Sequence, residues 1–403
     1  MIFYFIYSGK YNSKVGGHFQ SIKTIAKSIS SEKKVQIIVL GHSLVDIYSE
    51  VGLNPYFFKV TIFNFPLVIY RLLKHLKKFS PTNLHAFDSF AYYFVRILSF
   101  ITKTPSCLTK CGGPNFKHLA VSKNTIFFSK ENLEFYKGLK KFKLANKYLI
   151  PNRVLPPIIN EKRLKSLDID SDFTGIKFLR INRIGVYYKK TMLDSIHLIN
   201  FLNKNGIKSK LYIIGYITEA NVLDELSEFE NIVFLTEKKY YLNASELIPL
   251  FDCIIGTGRS AMEAFSYGKV VLSPIVNGSF PVIVEKHNFD YFLDGNFSER
   301  VFINEFDLDT YLKHLISFDW KSRVHNNDSL FLFNKFFNIN SKQNEYSNIY
   351  SKKVKEKIFI IDFFYHSILF FSKLKLDVFR SIFPKFEDFF AKKVMRFITN
   401  TKA

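Results

Sequence analysis

Hydrophobic and polar positions along the chain follow two alternating rhythms. Short apolar runs, IFYFIY (2–7), VQIIVL (35–40), NLHAF (83–87), SCLT (106–109) and NTIFFS (124–129), have the length of buried strands. Between them, HFQSIKTIAKSIS (18–30), PLVIYRLLKHLKKF (66–79) and DSFAYYFVRILSFI (88–101) place apolar residues at helical spacing. Such alternation predicts a parallel sheet with crossover helices. YLIPNRVLPPIIN (148–160), with three prolines, reads as an interdomain linker. The pattern then restarts. IKFLRIN (176–182), KLYIIG (210–215), NIVFLT (231–236), DCIIG (252–256) and KVVLSP (269–274) are predicted strands. KKTMLDSIHLINFLNKNG (189–206) is a long helix closed by Gly206, and ASELIPLF (244–251) a short one. The expectation is an α/β chain with two doubly wound domains in tandem, 1–155 and 156–345, and a helical, Phe- and Lys-rich extension over 346–403.

Charge narrows the class of partner. The 403 residues hold 57 Lys plus Arg against 35 acids, a net +22, which implies an anionic partner: phosphates, nucleic acid or an acidic membrane surface. The 22 Tyr and 46 Phe are available for stacking on bases, as a nucleic-acid-binding protein would need. The lysines are scattered, however, no nucleic-acid motif is present, and Phe follows core periodicity, so no nucleic-acid partner is expected. Cys107, Cys111 and Cys253 form no disulfide framework and point to a reducing cytosol. MIFYFIYSGK lacks the basic start and length of a signal peptide and reads as a first strand. No apolar run reaches the length of a membrane span; the nearest, IFIIDFFYHSILFF (358–371), carries Asp362 and His366. Residues 351–403 hold 12 Lys plus Arg and five acids. Within them, 374–403 intersperse Phe379, Ile382, Phe383, Phe386, Phe389, Phe390, Met395 and Phe397 with cations, the pattern of a helix lying on an anionic membrane.

Candidate chemistry concentrates in IIGTGRSAMEAFSYGKVVLSP (254–274). A strand breaks at Gly256 and Gly258 and a helix follows, at the sheet edge where open α/β sheets bind ligands. A helix N-terminus there favours a diphosphate. Arg259 at that N-terminus is unfavourable by about 0.3–1 kcal/mol, which argues for an anionic ligand. Glu263 is placed to accept hydrogen bonds from ribose hydroxyls, or simply to complement the helix dipole. Elsewhere, DID (168–170) and DLD (307–309) mimic metal-binding pairs, but the first lies near the linker and the second precedes a helix, with Asp309 as its expected N-cap. His85 and Asp88 are too few to fill a metal shell; they are expected at a strand end near the cleft, with Asp88 capping a helix. No metal site is expected.

SAMEAFSYGKVVLSP resembles the donor-site signature of GT-B glycosyltransferases, in particular glycosyltransferase family 4. The match falls on Ser260, Glu263, Ala264 and Gly268, with Val270 in place of the family's proline. The resemblance implies two Rossmann-like domains facing across a cleft, and a chain whose 351–372 segment crosses back over the N-terminal half. It implies that Glu263 holds the nucleotide ribose. The family's second glutamate corresponds to Ile255, so the amides of Thr257 and Gly258, with Arg259, are expected to replace its contact. In LRINRIGVYYKK (179–190), Arg183 and Lys189, or Lys190 in its place, correspond to the cations that grip the diphosphate. Gly16 and Gly17 match the family's paired glycines at the cleft. The family's sugar-contacting His-Gly pair is replaced by TKCGGPN (109–115), which leaves Lys110, Cys111 and Gly112, with His85, on the acceptor or sugar side. Cys111 is expected to be a reduced structural thiol.

The function so implied is transfer of a sugar from a nucleotide-sugar substrate, with no cofactor or metal, to a lipid-linked or oligosaccharide acceptor. The transfer would be retaining and would serve bacterial capsule or O-antigen assembly on the inner face of the cytoplasmic membrane. Besides the nucleic-acid reading, a sugar-nucleotide epimerase of the same fold is the alternative. It would need carboxylates and a histidine from both halves, a set that the sequence alone does not assign.

Overall fold

The computed structural model describes the chain except for residues 10–15, 45–47, 49–51, 157, 168, 171, 321–326, 343, 353–359 and 383–403. The N-terminal half runs β1 (Ile2–Ser8), α1 (Gly17–Ile29), β2 (Val35–Gly41), β3 (Tyr56–Lys59), α2 (Phe65–Phe79), β4 (Asn83–Ala86), α3 (Ser89–Thr102), β5 (Ser106–Lys110), β6 (Asn124–Phe127), α4 (Lys130–Lys137) and β7 (Asn146–Leu149). The C-terminal half begins with α5 (Glu161–Ser166), β8 (Ile176–Ile181), α6 (Val186–Lys204), β9 (Ser209–Ile214), α7 (Ala220–Leu226), β10 (Ile232–Leu235) and α8 (Lys238–Tyr241). It continues with β11 (Cys253–Ile255), α9 (Arg259–Ser266), β12 (Val270–Ser273), β13 (Val282–Ile283), α10 (Phe289–Asp294), α11 (Leu308–Ser317) and α12 (Asn327–Leu332). Helices α13 (Asn344–Ser351) and α14 (Ile360–Ile382) follow.

Two sheets result, ordered β3-β2-β1-β4-β5-β6-β7 and β10-β9-β8-β11-β12-β13. Every pairing is parallel except β12–β13. Strands such as β1, apolar on both faces, are covered on both sides by helices, which is why they read as continuous hydrophobic runs. In the N-terminal half, one face packs on α2, α3 and the buried Phe370 and Leu374 of α14; the other packs on α1 and on Tyr346 and Tyr350 of α13. The tandem doubly wound fold is therefore as the pattern predicts.

Three local features differ from the expectation. Strand β3 (YFFK) was not legible because three of its four side chains are exposed. Strand β7 takes the first two residues of the segment read as linker. Helix α11 is capped by Asp307, whose carboxylate accepts the Thr310 N–H at 2.8 Å, so Asp309 sits inside the first turn instead of at the cap. Asp88 does cap α3, accepting the Ala91 N–H at 2.8 Å and the Tyr7 N–H at 2.8 Å.

The chain returns to its first half. Val154, leaving that half, and Asn338, re-entering it, lie side by side in a parallel bridge. Helix α14 is held there by a buried ionic cluster. Arg96 donates to Asp362 at 2.7 Å and to the Val121 carbonyl at 2.6 Å, while Asp362 also accepts the Val121 N–H at 3.1 Å. His366 lies 3.4 Å from the same carboxylate. Burial opposes the charge of Asp362, but His366 and Arg96 outweigh it and hold the carboxyl well below its usual range. Of the segment 351–372, where a return is expected, Phe363, Phe370 and Phe371 of α14 pack on the core of the first half. The side chains of 376–382 and all of 383–403, where the membrane-seeking tail is expected, lie outside the described residues.

Removing one partner of a buried pair strands the other charge. Asp362→Ala is expected to lower the unfolding free energy by about 3–5 kcal/mol, read from denaturant midpoints; a loss within the range of a surface pair, about 0–1 kcal/mol, would show that the cluster does not hold α14.

Candidate functional site

In a parallel sheet all strands end at one edge, and a crevice opens where the strand order reverses. Here the reversals lie between β1 and β4 and between β8 and β11. The segments after β1, β8 and β11 converge on a cleft between the halves. The cleft holds two adjoining cavities, of about 310 Å³ and about 620 Å³, which share Gly17, Arg183, Tyr188 and Arg259. Gly16, Thr257, Ser260 and Glu263 border the first, together with Tyr216, Tyr241 and Ser245. His18, Cys111, Gly112, Asn152, Glu219, Gly258 and Asn296 border the second.

The turn from β11 into α9 is tight. Gly258 has a φ of 54°, and a Cβ on Gly256 would stand 2.7 Å from the Ala261 nitrogen, so both positions require glycine. The Thr257 N–H donates to the Ser260 hydroxyl at 3.0 Å, and the Gly258 N–H to the Phe297 carbonyl at 2.9 Å. Both amides are thereby occupied within the protein, which corrects the expectation that they face the donor. Arg259 donates through Nε to Glu263 at 2.8 Å, through Nη1 to the Arg153 carbonyl at 3.1 Å and through Nη2 to the Thr24 hydroxyl of α1 at 2.9 Å. Its place at a helix N-terminus is therefore accounted for by internal partners, and an anionic ligand is not needed to explain it. Burial raises the Glu263 carboxyl above its usual range, against the pull of Arg259.

Arg183, just beyond β8, borders both cavities and donates to the Tyr188 hydroxyl at 3.1 Å. The other expected cations lie elsewhere. Lys189 donates to Glu225 on α7 at 2.6 Å and Lys190 to Asp194 at 3.1 Å, and neither borders either cavity. Of the expected cations, Arg183 and Arg259 border the cleft.

His85 is not on the cleft. It has no exposed surface, and its ring nitrogens lie 2.7 Å from the Tyr350 hydroxyl and 2.6 Å from the Thr109 hydroxyl. Burial pushes its pKa down to about 3, so it is a neutral core residue that ties β4 to α13. Lys110 donates to the Gly112 carbonyl, and burial lowers its pKa to about 8. Burial pushes the Cys111 thiol far up, which keeps it protonated and unfit as a nucleophile.

His18 is a cleft residue that the sequence reading passed over, although it directly follows Gly16 and Gly17. Its ring fills the space that a Cβ on Gly16 would enter, 3.1 Å from Cε1. Burial, then the nearby Arg183 cation, lower its pKa to about 4. A neutral imidazole can both donate and accept a hydrogen bond, as a sugar hydroxyl requires.

No protein-family model matches the chain, and no curated protein matches it. Solved structures do resemble it. A glycosyltransferase from Rickettsia africae superposes with a TM-score of 0.61 at 14% identity, covering 88% of this chain and 98% of its own. Anabaena HepE, solved with UDP and glucose, gives 0.60 at 13% identity, covering 87% of this chain and 99% of its own. A UDP-GlcNAc 2-epimerase from Neisseria meningitidis, bound to UDP-GlcNAc, gives 0.52 at 11% identity, covering 87% of this chain and 100% of its own. Together with the two facing sheets, these likenesses establish the GT-B fold.

His85 generates a pH dependence. Its folded pKa lies below its unfolded value of about 6.5, so its stabilisation is complete above that pH. It is lost as pH falls from there towards 3, at about 1.4 kcal/mol per unit. Unfolding midpoints measured between pH 7.5 and 5 are expected to fall, and to fall less in His85→Gln; equal slopes would contradict a neutral buried His85.

Proposed function

We propose that the chain is a glycosyltransferase of family 4 type, moving a sugar from a nucleotide donor to a lipid-linked or polysaccharide acceptor in bacterial surface-polysaccharide assembly. One observation carries this reading: Arg183, the Arg259–Glu263 pair and the Gly16–Gly17 turn, from both halves, meet at facing switch points of a GT-B fold. Glu263 borders the cavity with one oxygen on Arg259, and in this reading accepts the ribose hydroxyls. The Tyr216 and Tyr241 rings, 6.1 Å apart, offer apolar surface to the base. When the bond between the sugar carbon and the phosphate oxygen breaks, negative charge grows on the leaving diphosphate. Arg183 meets that charge from the end of β8. The acceptor hydroxyl forms the new bond to the sugar carbon on the face that the phosphate leaves, and its proton passes to the departing phosphate oxygen, so the configuration is retained. His18 stands where it can hold the sugar.

The epimerase reading keeps one observation in its favour: His18 from the first half and Glu219 from the second border the same cavity. Incubation with UDP-sugars without any acceptor separates the two, since an epimerase interconverts the donor and a transferase does not.

Nucleotide at a hundred times its dissociation constant is expected to stabilise the fold by about 2.7 kcal/mol, visible as a thermal shift. Glu263→Ala should abolish most of that shift. Arg183→Ala should lower turnover by about a hundred- to a thousandfold, as for loss of one donor to a developing charge, whereas Lys189→Ala should leave it unchanged. Full donor affinity in Glu263→Ala, or wild-type turnover in Arg183→Ala, refutes the assignment.

A further inference from the structure

We propose that the outer face of the α2–α3–α14 layer docks on an anionic lipid bilayer. Helix α14 buries Phe370 and Leu374 against the sheet, yet presents a second apolar stripe outward: Ile361 is 87% exposed, Phe364 63% and Ile368 66%. The three recur at three- and four-residue steps, so they share a face. Around the start of α2, Phe63 is 88% exposed, Leu67 47% and Tyr70 62%. The two groups belong to one layer. Helices α2 and α14 both pack on α3, and Phe65 of α2 lies 5.4 Å from the ring of Phe371. Phe63 stands beyond the carboxyl end of β3, on the edge of the sheet where the cleft opens.

Charge identifies the occupant. Residues 51–103, which carry α2 and α3, contain seven Lys plus Arg, of which Arg96 is buried, and one acid, Asp88. The Asp88 carboxylate is taken by the N–H groups of Tyr7 and Ala91. Helix α2 itself carries exposed Arg71, Lys74, Lys77 and Lys78 and no acid. On α14, Asp362 is buried against Arg96. A second copy of a chain of net +22 would be repelled by this face. So would residues 383–403, which hold five Lys plus Arg against two acids. RNA matches the charge but gains nothing from burying isoleucines. A bilayer with acidic headgroups satisfies both halves of the pattern, cations at the headgroups and aliphatic side chains below them. The inference rests on the proposed function only for its purpose, since a lipid-linked acceptor lies at such a surface; its test involves no turnover.

The full chain is floated with vesicles of phosphatidylcholine containing phosphatidylglycerol, and with phosphatidylcholine alone, at low salt. The expected result is flotation with the acidic vesicles and far less with the neutral ones. A Lys74→Gln, Lys77→Gln, Lys78→Gln variant should partition about a hundredfold less, at about fivefold per cation. An Ile361→Ser, Phe364→Ser, Ile368→Ser variant should lose at least tenfold, with its unfolding midpoint kept, because those side chains are already in water. Wild-type flotation by both variants overturns the proposal, as does failure of the wild type to float. Equal retention of single-stranded RNA by the wild type and the isoleucine–phenylalanine variant, without flotation, overturns it in favour of nucleic acid. A chain that floats as described but shows no thermal shift with any nucleotide leaves this inference standing and sinks the proposed function instead.

Discussion

Every parallel strand leaves its sheet at the same edge, and that constraint governs this molecule. It forces the connections after β1, β8 and β11 to one side of each sheet, where reversals of strand order part them into crevices. Two such edges face one another. Residues as far apart in sequence as Gly17, Arg183 and Arg259 therefore border common cavities without any local sequence relation between them.

The electrostatics of the cleft follow from that meeting. Arg259 is the hinge pin of the arrangement: one guanidinium joins its own helix, through Glu263, to the connecting segment at Arg153 and to α1 at Thr24. Elsewhere between the halves, Arg300 grips Glu131 with two bonds of 2.9 and 3.0 Å, and Lys130 meets Asp294 at 2.7 Å. The Arg300–Glu131 pair is half-buried and bidentate, whereas Lys130 and Asp294 are exposed and screened by salt, so the first contributes more to holding the halves together.

Much of this is readable in the sequence itself. Element order and the doubly wound class follow from apolar rhythm, because buried strands and amphipathic helices differ in length and period. The β11–α9 turn was readable because it needs glycine at Gly256 and Gly258. What failed were inferences about side-chain direction and distant partners. His85 lies in a strand buried on both faces, and nothing in NLHAF tells a core histidine from one at the strand end. Lys189 and Lys190 fall on faces of α6 set by helical phase, away from the cavities. The partners of Arg259 lie 106 and 235 residues away, and the Phe297 carbonyl that occupies the Gly258 amide belongs to a later loop. His18 was legible in principle, as the imidazole next to the paired glycines.

The return of α14 also sets the order in which the molecule can be completed during its synthesis. Arg96 is buried in the first half, but its carboxylate partner emerges 266 residues later. At about 5–20 residues per second, Arg96 waits roughly 13–53 s for Asp362, and Phe370 and Leu374 follow it. Through that interval α3 has a cation without its anion and an apolar flank without its cover. The N-terminal half is thus first in sequence, yet its last packing partners come from the end of the described chain.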